Sequence, residues 1–293
     1  MNKIIILQIF LLFFIKWNYG QDLMALLDST SEPPTILVEG TFQSTRLING
    51  YSIETAGKND LVFSISHRFG PVSDGAYEFY GLDQSMIRLG FEYGLTDKLA
   101  VGIGRSSFEK LFDGYIKYNL FRQKSGAKNF PVSITLHEGM YYKSLKWANT
   151  ELDYPETARL YYVHEIYIAR KFGENFSAQI VPVLVHRNMV KTNEEQNSVP
   201  AVGLGGVYTL NAWLSFSAEY YYLLSGHTAS NYSNSLALGI EIDTGGGHLF
   251  QIHVSNSRGM TEKNFIPETT GKWEDGDVAL GFNIIRVFNL KSK

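Results

Sequence analysis

Three features of the sequence predict an all-β fold, a transmembrane antiparallel up-and-down β-barrel of twelve strands with an N-terminal periplasmic or plugging segment. Apolar and polar residues alternate over segments of about ten residues, the length a tilted strand needs to cross a hydrocarbon layer. The connections between these segments are short and long in turn. Aromatic residues gather at the segment ends.

The chain opens with a basic Met1-Asn2-Lys3, an apolar run from Ile4 to Ile15 broken only by Gln8, and the sequence Asn18-Tyr19-Gly20-Gln21. This pattern reads as a secretory signal peptide over residues 1–20, because the run is too short to span a bilayer as a helix. Export through the secretory pathway to the outer membrane of a Gram-negative cell is the expected destination. Residues 21–59 form the N-terminal segment. It begins with a short helical candidate, Asp22 to Asp28, and a break at Glu32-Pro33-Pro34. The stretch Thr35 to Asp60 stands outside the strand pattern and is expected as a plug, a periplasmic cap or an added hairpin of the sheet.

Residues 60–290 carry the barrel. The strand cores fall at 60–69, 85–93, 98–106, 112–122, 131–142, 159–172, 176–190, 200–208, 213–223, 235–243, 248–256 and 277–288. Ile87, Leu89, Phe91 and Tyr93 alternate with Arg88, Gly90 and Glu92; Leu214, Phe216, Ala218, Tyr220 and Tyr222 alternate with Ser215, Ser217, Glu219 and Tyr221. One apolar and one polar face is the reading of such alternation. Short turns such as Gly94-Leu95-Thr96-Asp97 and Gly173-Glu174-Asn175 alternate with long loops at 70–84, 143–158, 191–199, 224–234 and 257–276. Outer-membrane barrels show this asymmetry, with the short turns on the periplasmic side. An even strand number returns both chain ends to that side.

Tyr93, Phe121, Phe130, Phe172, Phe176, Tyr208, Trp213, Phe250 and Phe288 lie beside the short turns. Phe69, Phe108, Phe112, Tyr141, Tyr142 and Tyr222 lie at the opposite ends. Two interfacial girdles produce this distribution. They also explain how 14% aromatics and 44% hydrophobic residues coexist with a mean hydropathy of −0.11. The absence of Cys excludes disulfides, thiolate metal sites and a cysteine nucleophile. A net charge of −3 gives no footprint for nucleic acid. The partners expected instead are outer-membrane lipids and a periplasmic protein.

If the apolar face meets lipid, the other face lines the lumen. Arg68, Arg88, Glu92, Lys117, Glu165, Glu219, Glu241 and His253 are the ionisable residues placed there, beside Ser64, Ser66, Asn119, Gln179, Gln251, Ser255 and Asn283. Opposite charges in a narrow barrel are expected to pair. Such a network is either structural or the lining of a pore. Inward Gly90, Gly102, Gly104, Gly203, Gly205, Gly239 and Gly281 would leave room for a plug. His253-Val254-Ser255-Asn256 resembles the His-x-Ser-Asn element of outer-membrane phospholipase. However, both His253 and Ser255 share the polar parity of their strand, away from lipid substrate. The seven His show no metal-ligand spacing, so neither metal nor cofactor is expected, and no enzyme. The loop carboxylates Glu151, Asp153, Glu194, Glu195, Glu274 and Asp275 read as solvated charge.

Several stretches together resemble a family of Bacteroidota described as a membrane-bound β-barrel domain: Thr45-Arg46-Leu47-Ile48-Asn49-Gly50, Ile65-Ser66-His67-Arg68-Phe69-Gly70, Tyr93-Gly94-Leu95-Thr96-Asp97, Val101-Gly102-Ile103-Gly104-Arg105-Ser106-Ser107 and His253-Val254-Ser255-Asn256-Ser257-Arg258-Gly259-Met260. The resemblance implies an outer-membrane barrel and supplies no activity, substrate or site. The functional expectation is therefore a channel or transport-related barrel for small solutes. Its alternative is a non-conducting structural or docking barrel, with a lipid hydrolase a distant third.

Overall fold

The computed structural model describes residues 34–149 and 151–291. The expected signal peptide and the 22–28 helix lie outside the described residues. Twelve strands form the wall: β1 Asp60–Pro71, β2 Ser85–Gly94, β3 Leu99–Ser106, β4 Leu111–Phe121, β5 Ser133–Lys143, β6 Leu160–Lys171, β7 Phe176–Arg187, β8 Ser198–Asn211, β9 Leu214–Leu223, β10 Ser235–Asp243, β11 His248–Ser255 and β12 Ala279–Asn289. Each pairs antiparallel with the next, and β12 pairs with β1 to close the barrel. Closure removes every unpaired sheet edge, which a membrane does not tolerate. The closing register sets Asn289 against Asp60, so both ends of the wall lie on the short-turn side.

The sequence periodicity sets the faces. In β7 the buried positions Ser177, Gln179, Val181, Val183 and Val185 alternate with exposed Ile180, Pro182 and Leu184. The outward band holds large apolar side chains in the open, among them Ile103 at 66% and Trp213 at 55% exposure. A continuous apolar surface of this extent is stable against lipid, not water. No described helix is long and apolar enough to cross a membrane.

Three expectations need correction. Of the alternatives for the stretch before β1, the added hairpin of the wall is not formed: residues 35–59 add no strand to it, and only Ile36–Leu37 forms a ladder, with Lys124–Ser125, outside the barrel sheet. Tyr141 does not belong to the outer girdle but is buried inside, because it shares the parity of His137 on β5. Glu195 is not solvated: it is buried against Arg187.

Candidate functional site

Residues 41–56 enter from the short-turn side and fold back as a hairpin within the wall. Arg46 and Tyr51 form an antiparallel bridge, and Leu47 N–H donates to Gly50 O at 2.9 Å. Phe42, Leu47, Ile48, Tyr51, Ile53 and Ala56 are all buried. Within the hairpin two backbone-to-backbone hydrogen bonds form, Leu47 to Gly50 and Ser52 to Thr45, so much of its backbone needs other partners. Inward side chains of the wall supply them.

The tip is held most densely. The Glu219 carboxylate accepts the backbone N–H of Ile48 at 3.3 Å, of Asn49 at 2.7 Å and of Gly50 at 3.1 Å. Arg68 donates to Asn49 Oδ1, and Asn49 Nδ2 donates to Ser255 Oγ at 3.3 Å. Asn283 Nδ2 donates to Ile48 O at 2.9 Å, and Gln251 Nε2 to Leu47 O at 2.6 Å. On the returning limb, Gln179 binds Tyr51 O and Ile53 N–H together, as a neighbouring strand would. Thr135 Oγ1 donates to Ile53 O, Lys117 Nζ to Glu54 O, and Glu92 accepts Ala56 N–H at 2.8 Å. Arg88, paired with Asp113, also donates to the Tyr51 hydroxyl. Below the hairpin, Ala56 packs with Val62, Ala100, Leu249 and Ile285. Crevices of about 260 and 180 Å³ remain on either side of it at the short-turn mouth.

All eight ionisable residues expected in the lumen are buried. Five of them, Arg68, Arg88, Glu92, Lys117 and Glu219, bond the hairpin directly. The other three do not. Glu165 accepts the Tyr167 hydroxyl at 2.6 Å and lies 2.9 Å from His137 Nδ1. Glu241 is bonded by Gln251, itself a hairpin contact. His253 has no hydrogen-bond partner on either ring nitrogen. Ser255 Oγ is taken by Asn49 and by Ser257 N–H. The nucleophile–base hydrogen bond that a serine hydrolase needs is therefore not formed. No metal-binding group of His, Asp and Glu occurs among the described residues.

Glycine makes the room, mostly for large inward neighbours. A Cβ on Gly104 would meet Arg88, and one on Gly281 would meet His253 and Arg68. At Gly205 the occupant is the hairpin itself: a Cβ there would lie 2.4 Å from Leu47 Cδ1.

The opposite mouth is closed by the chain after β11. Residues 256–267 are buried except for half-buried Arg258. They fold inward until Phe265 packs edge-on against Tyr221, 4.9 Å between ring centroids. Glu262 accepts the Tyr141 hydroxyl at 2.7 Å and sits 4.0 Å from Arg46, so the loop and the hairpin meet. A chain of charges pins this loop. Lys263 pairs with Glu109 and with Glu268 at 2.8 Å; Lys143 also pairs with Glu109; Arg187 joins Glu268 to Glu195. Burial alone would raise the Glu109 carboxyl, but Lys263 and Lys143 outweigh it and hold it down at about 2. Burial likewise disfavours the Lys263 ammonium, but Glu268 and Glu109 keep it above its ordinary range.

Sequence reasoning missed this loop, together with Asp113. Asp113 shares the parity of Lys117 on β4 and could have been found that way. In the loop, Met260, Phe265 and Ile266 are apolar residues that an exposed segment has no need of.

The molecule is thus a closed membrane barrel whose interior is filled from both ends. The model of the family described as Membrane bound beta barrel domain (DUF5777) matches residues 42–288, and the chain belongs to that family. The matched span takes in the hairpin from Phe42 onward and the inward loop. None of the curated proteins matches the sequence. Among solved structures the chain is similar to the NanC porin, at 8% identity and a TM-score of 0.50, covering 79% of this chain and 100% of that one. It is similar also to the KdgM porin (8%, 0.46, 79% and 99%). A third is an outer membrane channel from Pseudomonas putida F1 (11%, 0.46, 80% and 97%). At 8% identity the likeness to the NanC porin speaks for the barrel fold alone.

Proposed function

We propose that the protein is an outer-membrane barrel that conducts small solutes and is held closed at rest by the 41–56 hairpin. The short turns face the periplasm in this reading, as in other outer-membrane barrels. One observation carries it. Polar side chains of the wall grip the hairpin's backbone, with Glu219 on three N–H groups, while its Phe42, Leu47, Tyr51 and Ile53 join a buried apolar cluster of the lumen. The polar contacts can be exchanged for water when the hairpin moves, and the burial of its apolar side chains keeps it seated at rest. Arg68, Arg88, Glu92, Lys117, Glu165, Glu219, Glu241 and His253 would then face the solute path. The reaction chemistry of an enzyme is no part of this reading.

The test is conductance in planar bilayers. The intact protein is expected to be silent. Deletion of residues 41–56, alone or with Lys263→Gln to free the loop, is expected to give discrete openings. Silence of both variants, with folding verified by heat-dependent gel mobility, would overturn the channel. A second reading, a non-conducting barrel that docks a periplasmic protein, draws on the loop that closes the other mouth and on exposed Ile36 and Leu37 at the short-turn rim. Retention of a periplasmic partner by the intact protein, lost on deleting residues 34–40, is its signature.

A further inference from the structure

The lipid-facing surface is largely apolar; besides His164, its outward imidazoles are His67, stacked on Phe282, His186, bonded to Ser198, and His248, beside Arg286. Among the outward positions of the twelve strands, Glu138 on β5 is the acidic side chain. It stands between outward Ile134 and Leu136 on one side and Met140 and Tyr142 on the other. Directly across the ladder on β6 is His164, and its Nδ1 bonds the Glu138 carboxylate. The two side chains remain 59% and 49% exposed. Around them Ile116, Met140, Ile166 and Leu184 project outward.

Other outward charges are placed differently. Arg105, Arg170 and Arg286 lie toward strand ends, each with its guanidinium over an aromatic ring, Phe112, Phe172 and Phe288. Those arginines can reach the headgroups along their stems. Glu138 is too short for that from mid-strand. A half-exposed carboxylate and imidazole facing acyl chains is costly, and such groups in membrane proteins are normally covered by protein.

We infer that the β5–β6 face is the interface between two copies of this chain, with Glu138 of each copy bonded to His164 of the other. The pairing follows from symmetry. Two copies inserted in the same direction can be related only by a two-fold axis along the membrane normal, and such an interface is self-complementary. Glu138 and His164 are ladder partners, side by side on one face. A two-fold axis in front of them sets acid against imidazole on both sides. The surrounding apolar side chains then pack against their counterparts. The inference does not depend on whether the barrel conducts.

Native mass spectrometry of the detergent-purified protein, together with cross-linking in membranes, tests it. The intact chain is expected as a dimer. Glu138→Leu with His164→Leu is expected to weaken the dimer at least tenfold while leaving the barrel folded, because both changes suit a lipid-facing surface. Complementation is the sharper arm. Glu138→His alone places His against His, and His164→Glu alone places Glu against Glu, so each is expected to be monomeric. A mixture of the two, one carrying a mass tag, is expected to give the heterodimer. A monomeric intact chain, a dimer that survives the double Leu change, or a mixture that fails to associate would each overturn the interface.

Discussion

Replacing Glu219 by Gln separates the grip on the hairpin from the shape of the lumen. The two side chains are nearly isosteric, so the wall should be unchanged. One oxygen of Gln can still accept the Asn49 N–H, now 2.7 Å from Oε1. The other position becomes an NH2 group facing the N–H groups of Ile48 and Gly50, which now lie 3.3 and 3.1 Å from Oε2. Two bonds to a charged acceptor are lost, each worth roughly 1.5–3 kcal/mol, while the desolvation of a buried carboxylate is relieved. A net loss of about 2–3 kcal/mol corresponds to an opening equilibrium raised about 30- to 150-fold. Hydrogen exchange of a peptide covering residues 47–51 reads this opening directly. Faster exchange there, with β4–β7 peptides unchanged, is the expected result. Exchange at the wild-type rate in a folded Glu219→Gln protein would refute the idea that this carboxylate holds the tip.

Gly205→Val should expel the hairpin, since its Cβ alone would come within 2.4 Å of Leu47 Cδ1; adding Leu47→Ala should restore hairpin protection in the same exchange experiment. Ile252→Arg, on the lipid face at the middle of β11, should destabilise the barrel by about 2–4 kcal/mol in urea unfolding from lipid vesicles; an unchanged midpoint would count against lipid contact there. Acid should release the 256–267 loop. The folded carboxyl of Glu109, at about 2, lies below its ordinary 4.5, so its contribution is full above 4.5 and fades as pH falls from there through 2. Pepsin cleavage near Phe265 should rise over that window, and Glu109→Gln should be cleaved already at its upper end.

The wall was legible because its physics is local. Period-two alternation reports which face meets lipid; the eight ionisable residues it assigns to the inner face, Arg68 and Glu219 included, are buried. Strand ends were less certain: β8 runs on to Asn211 and β7 stops at Arg187, where pairing rather than hydropathy decides. The contents of the lumen were not legible. The hairpin has no periodic pattern, since its backbone bonds to side chains such as Gln179 and Gln251 from distant strands and not to a neighbouring strand. An aromatic at a strand end suits a girdle or a packed lumen; the parity Tyr141 shares with His137 sets it inside, where Glu262 accepts its hydroxyl. Glu109 adopts a left-handed backbone, φ 53°, unusual for its type, beside partners that arrive from a loop far along the chain.

The occupied lumen is tested most directly by a cysteine pair at Leu47 and Gly205. The chain has no Cys of its own, so the engineered thiols would be the sole candidates for a bond. With the hairpin seated, Leu47→Cys and Gly205→Cys lie in contact, and mild oxidation in native membranes should join them in a bond that alters gel mobility and is reversed by reductant. Thiols that stay free and react with a soluble maleimide at the rate of an exposed residue would mean that the hairpin does not occupy the barrel.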